Sequence, residues 1–204
     1  MPDRSDRPLG SIAVHSRLND GTAVTLRAIT PDDEERIREG IAKLSDESRY
    51  LRFFSPASTV PDEVVERLAD VDGYRHIGWG AICTGCEDWP AIGAVHAVRY
   101  RDGGRAGEYS IAILDEFQGK GLSRMLTAAL LIQCLAEDMT ILDIHMLSQN
   151  EGARRLVKSL GATWKAETAG VAEYELDVAG GIASLRADRD SPGVEDVFQA
   201  LMAV

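Results

Sequence analysis

The sequence predicts a mixed α/β domain: one sheet, partly parallel, with helices on both faces. Three observations predict it. Short apolar or alternating runs of strand length recur from residue 12 to residue 178. Between them lie stretches whose apolar residues repeat at helix spacing. One glycine-rich turn, Gly119-Lys120-Gly121, joins a strand directly to the most apolar helical stretch of the chain. Strand and helix patterns that alternate in this way build a sheet covered by helices.

Taken in order, Met1–Gly10 is polar, rich in Pro and Arg, and expected to be disordered. Ile12–Leu18 and Ala23–Ile29 flank Asn19-Asp20-Gly21, a hairpin signal. Thr30-Pro31 opens a helix, with Thr30 as N-cap and acids in the first turn. It runs to about Lys43 with Ile37, Ile41 and Leu44 on the buried face. Ser45 caps a second short helix ending near Phe54. Pro61–Ala69 forms a third, with Val64, Val65 and Leu68 inward. His76–Thr84 and Pro90–Tyr100 form a strand pair around Gly85–Trp89. Glu108–Leu114 is the central strand and Lys120–Glu137 the main helix. Ile141–Leu147 is a strand, Gln149–Leu160 a helix ended by Gly161, and Val171–Val178 the last strand. The domain is therefore placed at residues 11–180. Residues 181–204 form a tail in which Ser191-Pro192 caps a helix with Val194, Val197, Phe198 and Leu201 in one stripe. That stripe covers either its own domain or a second copy, making a homodimer.

The strand–turn–helix at Glu108–Leu130 carries the strongest chemical signal. Glycines at 119 and 121 let an anion approach the backbone, because no Cβ blocks it. The free N–H groups of the first helical turn point at that anion, and the helix dipole favours negative charge there. The sequence thus predicts a phosphate on Gly119–Ser123. The spacing matches neither a Walker A loop nor G-x-G-x-x-G.

Composition limits the partners. The chain has 204 residues, 45% hydrophobic and 27% charged, with net charge −11. Such acidity argues against nucleic-acid binding, which needs a basic face. No apolar run approaches the roughly 18 residues of a membrane span, and the N-terminus carries no apolar signal region. Three cysteines, an odd number, suit a reducing cytoplasm. Cys83-Thr84-Gly85-Cys86 is a C-x-x-C at a turn. A structural zinc site wants four ligands, and only Cys134 and His96 are at hand, so no metal is expected. His15, His76, His96 and His145 show no paired spacing.

Gln118-Gly119-Lys120-Gly121-Leu122-Ser123 resembles the Q/R-x-x-G-x-G/A pyrophosphate loop of the GNAT acyltransferases, with Ser123 in place of the usual Gly or Ala. Three more stretches extend the resemblance to the Pat-type protein lysine acetyltransferase branch. They are Leu26–Phe54, with its SDESRYLRFF segment, Ala69–Ile82 (ADVDGYRHIGWGAI) and Ser148–Ala162 (SQNEGARRLVKSLGA). The resemblance spans most of the chain and implies the GNAT fold. It implies acetyl-CoA dependent N-acetylation of protein lysines, with acyl-CoA synthetases as typical acceptors. It also implies that Gln118, Gly119, Lys120, Gly121, Leu122 and Ser123 hold the coenzyme phosphates and that Asn150 binds the coenzyme. Glu108 stands where this branch carries its general base.

The chemistry asks for these parts. A lysine ammonium, pKa about 10.4, must lose a proton before it attacks a thioester. Glu108 is placed to take it. Asp115 and Glu116 are the rivals, but facing the coenzyme they would repel it, so they are read as solvent-facing. The oxyanion needs a donor, and a backbone N–H near Ile111, Ala112 and Ile113 supplies one if the strand splays from its neighbour. The pantetheine amides pair with the same strand. Many GNATs carry a Tyr seven residues after the Asn; here Val157 stands there, and no general acid is assigned. Arg49, Tyr50 and Arg52 are candidates to line the acceptor mouth. Two other functions remain open: acetylation of a small amine or amino acid, and a non-catalytic acyl-CoA sensor.

Overall fold

The computed structural model describes residues 8–55, 57, 59–188 and 191–202. The expected disorder of residues 1–7 lies outside these. Pro8–Ser11 forms a short 3-10 turn, so the disorder expected of Met1–Gly10 does not extend over its last three residues.

Eight strands form one sheet: β1 (Ala13–Arg17), β2 (Ala23–Ala28), β3 (His76–Cys83), β4 (Ala91–Arg99), β5 (Ala106–Ile113), β6 (Ile141–Leu147), β7 (Thr163–Thr168) and β8 (Val171–Asp177). Their order is β1-β2-β3-β4-β5-β6-β8-β7. Every neighbouring pair is antiparallel except β5 and β6, which run parallel across the connection made by the main helix. A parallel pair needs such a crossover, and the strand–turn–helix stretch provides it.

Three helices, α1 (Glu34–Lys43), α2 (Asp46–Phe53) and α3 (Asp62–Ala69), precede β3. Ser45 caps α2 as expected, accepting from the Ser48 N–H at 3.1 Å. Thr30 is the N-cap of the opening turn, Pro31–Asp33, as expected, and it shares a capping box with Asp33. The Asp33 carboxylate accepts from the Thr30 N–H at 2.9 Å and pairs with Arg27. Ile37 and Ile41 are only half-buried, because a cavity lies between α1 and the sheet. The main helix, α4 (Leu122–Ala136), is buried on almost every side. It covers the other face of β3, β4 and β5. The two faces are marked on β5 itself. The Tyr109 hydroxyl meets Thr127 of α4 at 2.8 Å, and Ser110 on the opposite face accepts from Arg52 of α2 at 2.8 Å.

Two elements have no counterpart in the sequence reading. β7 is a polar edge strand with almost every residue exposed, so it shows no period-2 apolar pattern. After α5 (Glu151–Ser159), β7 and β8, helix α6 (Val178–Ala187) contains Gly180-Gly181, which reads as a break. Packing overrides the propensity: a Cβ on Gly181 would stand 2.8 Å from Leu131, so the glycine lets α6 lie close on α4. A domain boundary at residue 180 would cut this helix. The last helix, α7 (Pro192–Leu201), lies on α4 and β1. Val194, Val197, Phe198 and Leu201 are all buried there, so the stripe is consumed within the chain and is not left for a second copy.

Cys83 and Cys86 are joined in a disulfide across the β3–β4 turn, and Cys134 is the free, buried cysteine. The odd count, read as suiting a reducing cytoplasm, is thus made of one local pair and one free thiol. No helix among the described residues is long and apolar enough to cross a membrane.

Candidate active site

Pairing between β5 and β6 covers only four residue pairs, from Ala106–Ile141 to Tyr109–Ile144. Beyond that point β5 stays on β4 to Ile113, while β6 stays on β8 to Leu147. The two strands separate and leave a wedge. The Leu114 N–H bonds to Ile92 O of β4 at 3.0 Å. Hydrogen-bonding groups alternate along a strand, so the N–H groups of Ile111 and Ile113 face the wedge while Ala112 turns its backbone to β4. The splay expected at Ile111–Ile113 is therefore present, with donors at Ile111 and Ile113. Ala112 contributes its small side chain to the wall.

The loop at one end of the wedge turns on its two glycines. Gly119 and Gly121 both adopt the left-handed region, φ +73° and +89°, which favours glycine. Gly121 is the N-cap of α4. The backbone N–H groups of Gly119, Gly121, Leu122 and Ser123 take no acceptor among the described residues, which leaves them available to an anion. The side chains differ from the expectation in two places. Lys120 pairs with Asp20 at 2.9 Å and lies over the Phe117 ring, holding the Asp20 carboxyl well below its ordinary range. Leu122 is 1% exposed and belongs to the core. Both can offer only backbone to a ligand in this arrangement. Gln118 reaches back, donating from Nε2 to Ile113 O at 3.1 Å and to Ser48 Oγ at 3.3 Å.

A cleft follows the wedge. Its smaller arm is lined by Gln118, Gly119, Gly121, Ser123, Arg124 and Arg155 among others. Two guanidinium groups therefore stand beside the loop in a chain that is acidic as a whole. Its larger arm, about 1000 Å³, contains Glu108, Ser110 and His145. The arms share Leu51, Arg52, Ile111, Asn150, Ala153 and Leu156. Asn150 sits at their junction as the N-cap of α5, its Oδ1 accepting from the Ala153 N–H at 2.9 Å. Val157, at the position of the family's usual tyrosine, is buried.

Glu108 lies in the larger arm with its side chain 53% exposed, and His145 Nδ1 is 3.8 Å away. Asp115 and Glu116 are exposed, and Asp115 is fully engaged elsewhere. Burial raises its pKa, but bonds from Ser48 and Ser45 outweigh this and leave it below the ordinary carboxylate value. Asp115 thus ties the N-terminus of α2 to the loop, a role the sequence reading did not assign.

Of the three proposed mouth residues, Arg52 lies deepest in the cleft. Burial pushes its guanidinium down to about 10, against the pull of Glu108, so it remains charged at neutral pH. Arg49 is buried against Leu44 O and paired with Asp46, and Tyr50 is exposed. Two histidines read as unrelated prove to be partners. His76 Nε2 and His96 Nδ1 are 2.9 Å apart, with His76 Nδ1 at 3.0 Å from Asp70 O. The β3–β4 register creates this pair, since His96 stands opposite Gly78 and His76 opposite Val98. Twenty residues separate them, beyond the reach of a spacing rule. No cluster of three or more His, Cys, Asp or Glu suited to a metal occurs among the described residues.

Comparison with known proteins places this geometry. Residues 23–163 match the family model described as an acetyltransferase (GNAT) domain. The chain is 29% identical over 153 residues to Acetyltransferase Pat of Mycolicibacterium smegmatis, covering 75% of this chain and 45% of that protein. It is 27% identical over 109 residues to an acetyltransferase of Pseudomonas aeruginosa, covering 53% of this chain and 58% of that one. The chain thus spans about half the length of these curated relatives. Among solved structures, the GNAT domain of S. lividans PAT superposes with a TM-score of 0.73 at 25% identity, covering 81% of this chain and 96% of that one.

Proposed function

The chain belongs to the GNAT acetyltransferase family, and on that premise we propose that it transfers the acetyl group of acetyl-CoA to a lysine side chain of a protein, with Glu108 as general base. The observation that carries the reading is the wedge beyond Tyr109 and Ile144. It sets an anion loop, two outward strand N–H groups and a carboxylate along one cleft.

Each step has a residue to serve it. The pyrophosphate lies on the N–H groups of Gly119–Ser123, at the positive end of α4. The pantetheine runs along β5 in the place β6 vacates, with Asn150 at the junction. Glu108, directly or through a water, takes the proton from the lysine ammonium. The free amine attacks the thioester carbonyl, and the N–H groups of Ile111 and Ile113 receive the developing oxyanion. Collapse breaks the C–S bond and expels the CoA thiolate, which takes up the second proton shed by the attacking nitrogen, directly or through water, and needs no strong acid. The size of the larger arm favours a lysine carried on a protein surface over a small amine. The relative named Pat and the PAT structure support the same choice.

The test is incubation with labelled acetyl-CoA and native lysate, beside an acyl-CoA synthetase and a panel of small amines. Label on protein lysines supports the proposal. Turnover confined to small amines overturns the acceptor, and acetyl-CoA binding without any turnover overturns the activity.

A further inference from the structure

A second cavity, about 80 Å³, lies between α1 and the sheet and adjoins both arms of the cleft. Its floor follows from strand register. Arg27 pairs with Gly80, Gly80 with Ala94, and Ala94 with Ala112, so these four residues form one row on one face across β2, β3, β4 and β5. The middle of that row carries almost no side chain. Ala94 and Ala112 remain half-exposed in the middle of a covered sheet, and Ile37 and Ile41 remain half-exposed on the helix above. The trench between them has apolar walls. At its far end stands the Arg27–Asp33 ion pair. His96, 3% exposed, flanks it.

The near end of the trench is at the reaction centre. Ala112 lies between Ile111 and Ile113, whose N–H groups face the wedge. Ala112, Leu44 and Arg52 line both this cavity and the smaller arm of the cleft. We propose that the trench is an acyl-chain subsite: it receives the hydrocarbon tail of an acyl-CoA longer than acetyl-CoA. From β5 to β3 the floor crosses two strand spacings, about 10 Å, a length that suits acyl chains of about three to six carbons. The occupant is a saturated chain because floor and helix wall are apolar and each cation of the lining already has a partner: Arg27 has Asp33, Arg36 the Trp89 carbonyl and Arg52 the Ser110 hydroxyl. This subsite rests on reading the cleft as an acyl-CoA site.

The experiment measures dissociation constants of CoA, acetyl-CoA, propionyl-CoA, butyryl-CoA and hexanoyl-CoA by calorimetry on the full chain, without acceptor. Each added methylene buried in the trench should tighten binding by about fourfold, up to hexanoyl-CoA. Ala94→Leu fills the floor and should remove that gain while leaving acetyl-CoA binding unchanged. Gly40→Leu fills the same space from α1, where a Cβ meets only Ala91 O at 3.9 Å, and should act alike if Ala94→Leu does not fold. The melting temperature without ligand establishes that the variant tested is folded. If the wild-type protein binds all five compounds equally, or a folded variant keeps the preference for longer chains, the subsite is overturned and the acetyl-CoA reading stands. If none of the five binds, both fall.

Discussion

Gly121 lies so close to the side chain of Asn19 that a Cβ there would stand 2.8 Å from the Asn19 Oδ1. The Asn19 N–H also bonds to Lys120 O at 3.0 Å. The β1–β2 hairpin turn therefore braces the anion loop from outside. At φ +89°, a side chain on Gly121 is strained as well as crowded. Gly121→Ala should lower stability by about 1–3 kcal/mol and abolish most of the rise in melting temperature that acetyl-CoA confers by mass action. Gly119→Ala, with nothing within 4 Å of its Cβ, should pay only the backbone strain and keep more of that rise. Thermal melts with and without acetyl-CoA test both, and an unchanged ligand shift in Gly121→Ala refutes the loop assignment.

Glu108→Gln keeps the shape of the side chain and removes its basic site. Turnover at pH 7 should fall by roughly 10²–10⁴, the usual range for a lost general base, with acetyl-CoA affinity nearly unchanged. The deficit should shrink as pH rises toward the lysine pKa, because solution then supplies the free amine. A variant that turns over like wild type at pH 7 would show that Glu108 is not the base and send attention to Asp115 or Glu116.

The His76–His96 pair makes stability depend on acid. Burial, then the neighbouring His76 and Arg52, hold the His96 pKa well below 6.5, and burial lowers His76 as well. The unfolded chain therefore takes up protons that the folded chain refuses. The stabilisation is fully present above pH 6.5 and is lost as pH falls from there through the folded-state pKa values. Melting temperature should drop between pH 7.5 and pH 5.5, and His96→Gln should drop less over the same interval. Parallel curves for the two proteins would refute the assignment.

Helix α7 is part of the core. Phe198 is 5% exposed and lies under the Arg186 guanidinium at 5.0 Å. Phe198→Ala should cost about 3–5 kcal/mol, the usual loss for a buried phenylalanine, measured by denaturant unfolding. Truncation before Ser191 should cost at least as much. A truncated chain as stable as the full one would mean that α7 does not dock in solution.

Local chemistry made much of this protein legible in one dimension. Gly119 and Gly121 before an apolar helix determine a glycine turn with free N–H groups at its helix end, because glycine dihedrals and helix-terminal N–H groups are local properties. The Ser45 cap, the Asn19-Asp20-Gly21 turn and the stripe in α7 are local for the same reason. Tertiary structure alone decided the rest. The wedge depends on where β5 stops pairing with β6, which no single strand encodes. The His76–His96 pair, the Asp115 lacing to Ser45 and Ser48, and the Gly80–Ala94–Ala112 row all arise from register between distant segments. β7 and α6 stayed hidden because an edge strand needs no apolar alternation and because close packing on Leu131 outweighs the poor helix propensity of Gly180-Gly181. Sequence spacing reports what lies three or four residues away; the site is assembled from residues whose distance is fixed only when the sheet closes.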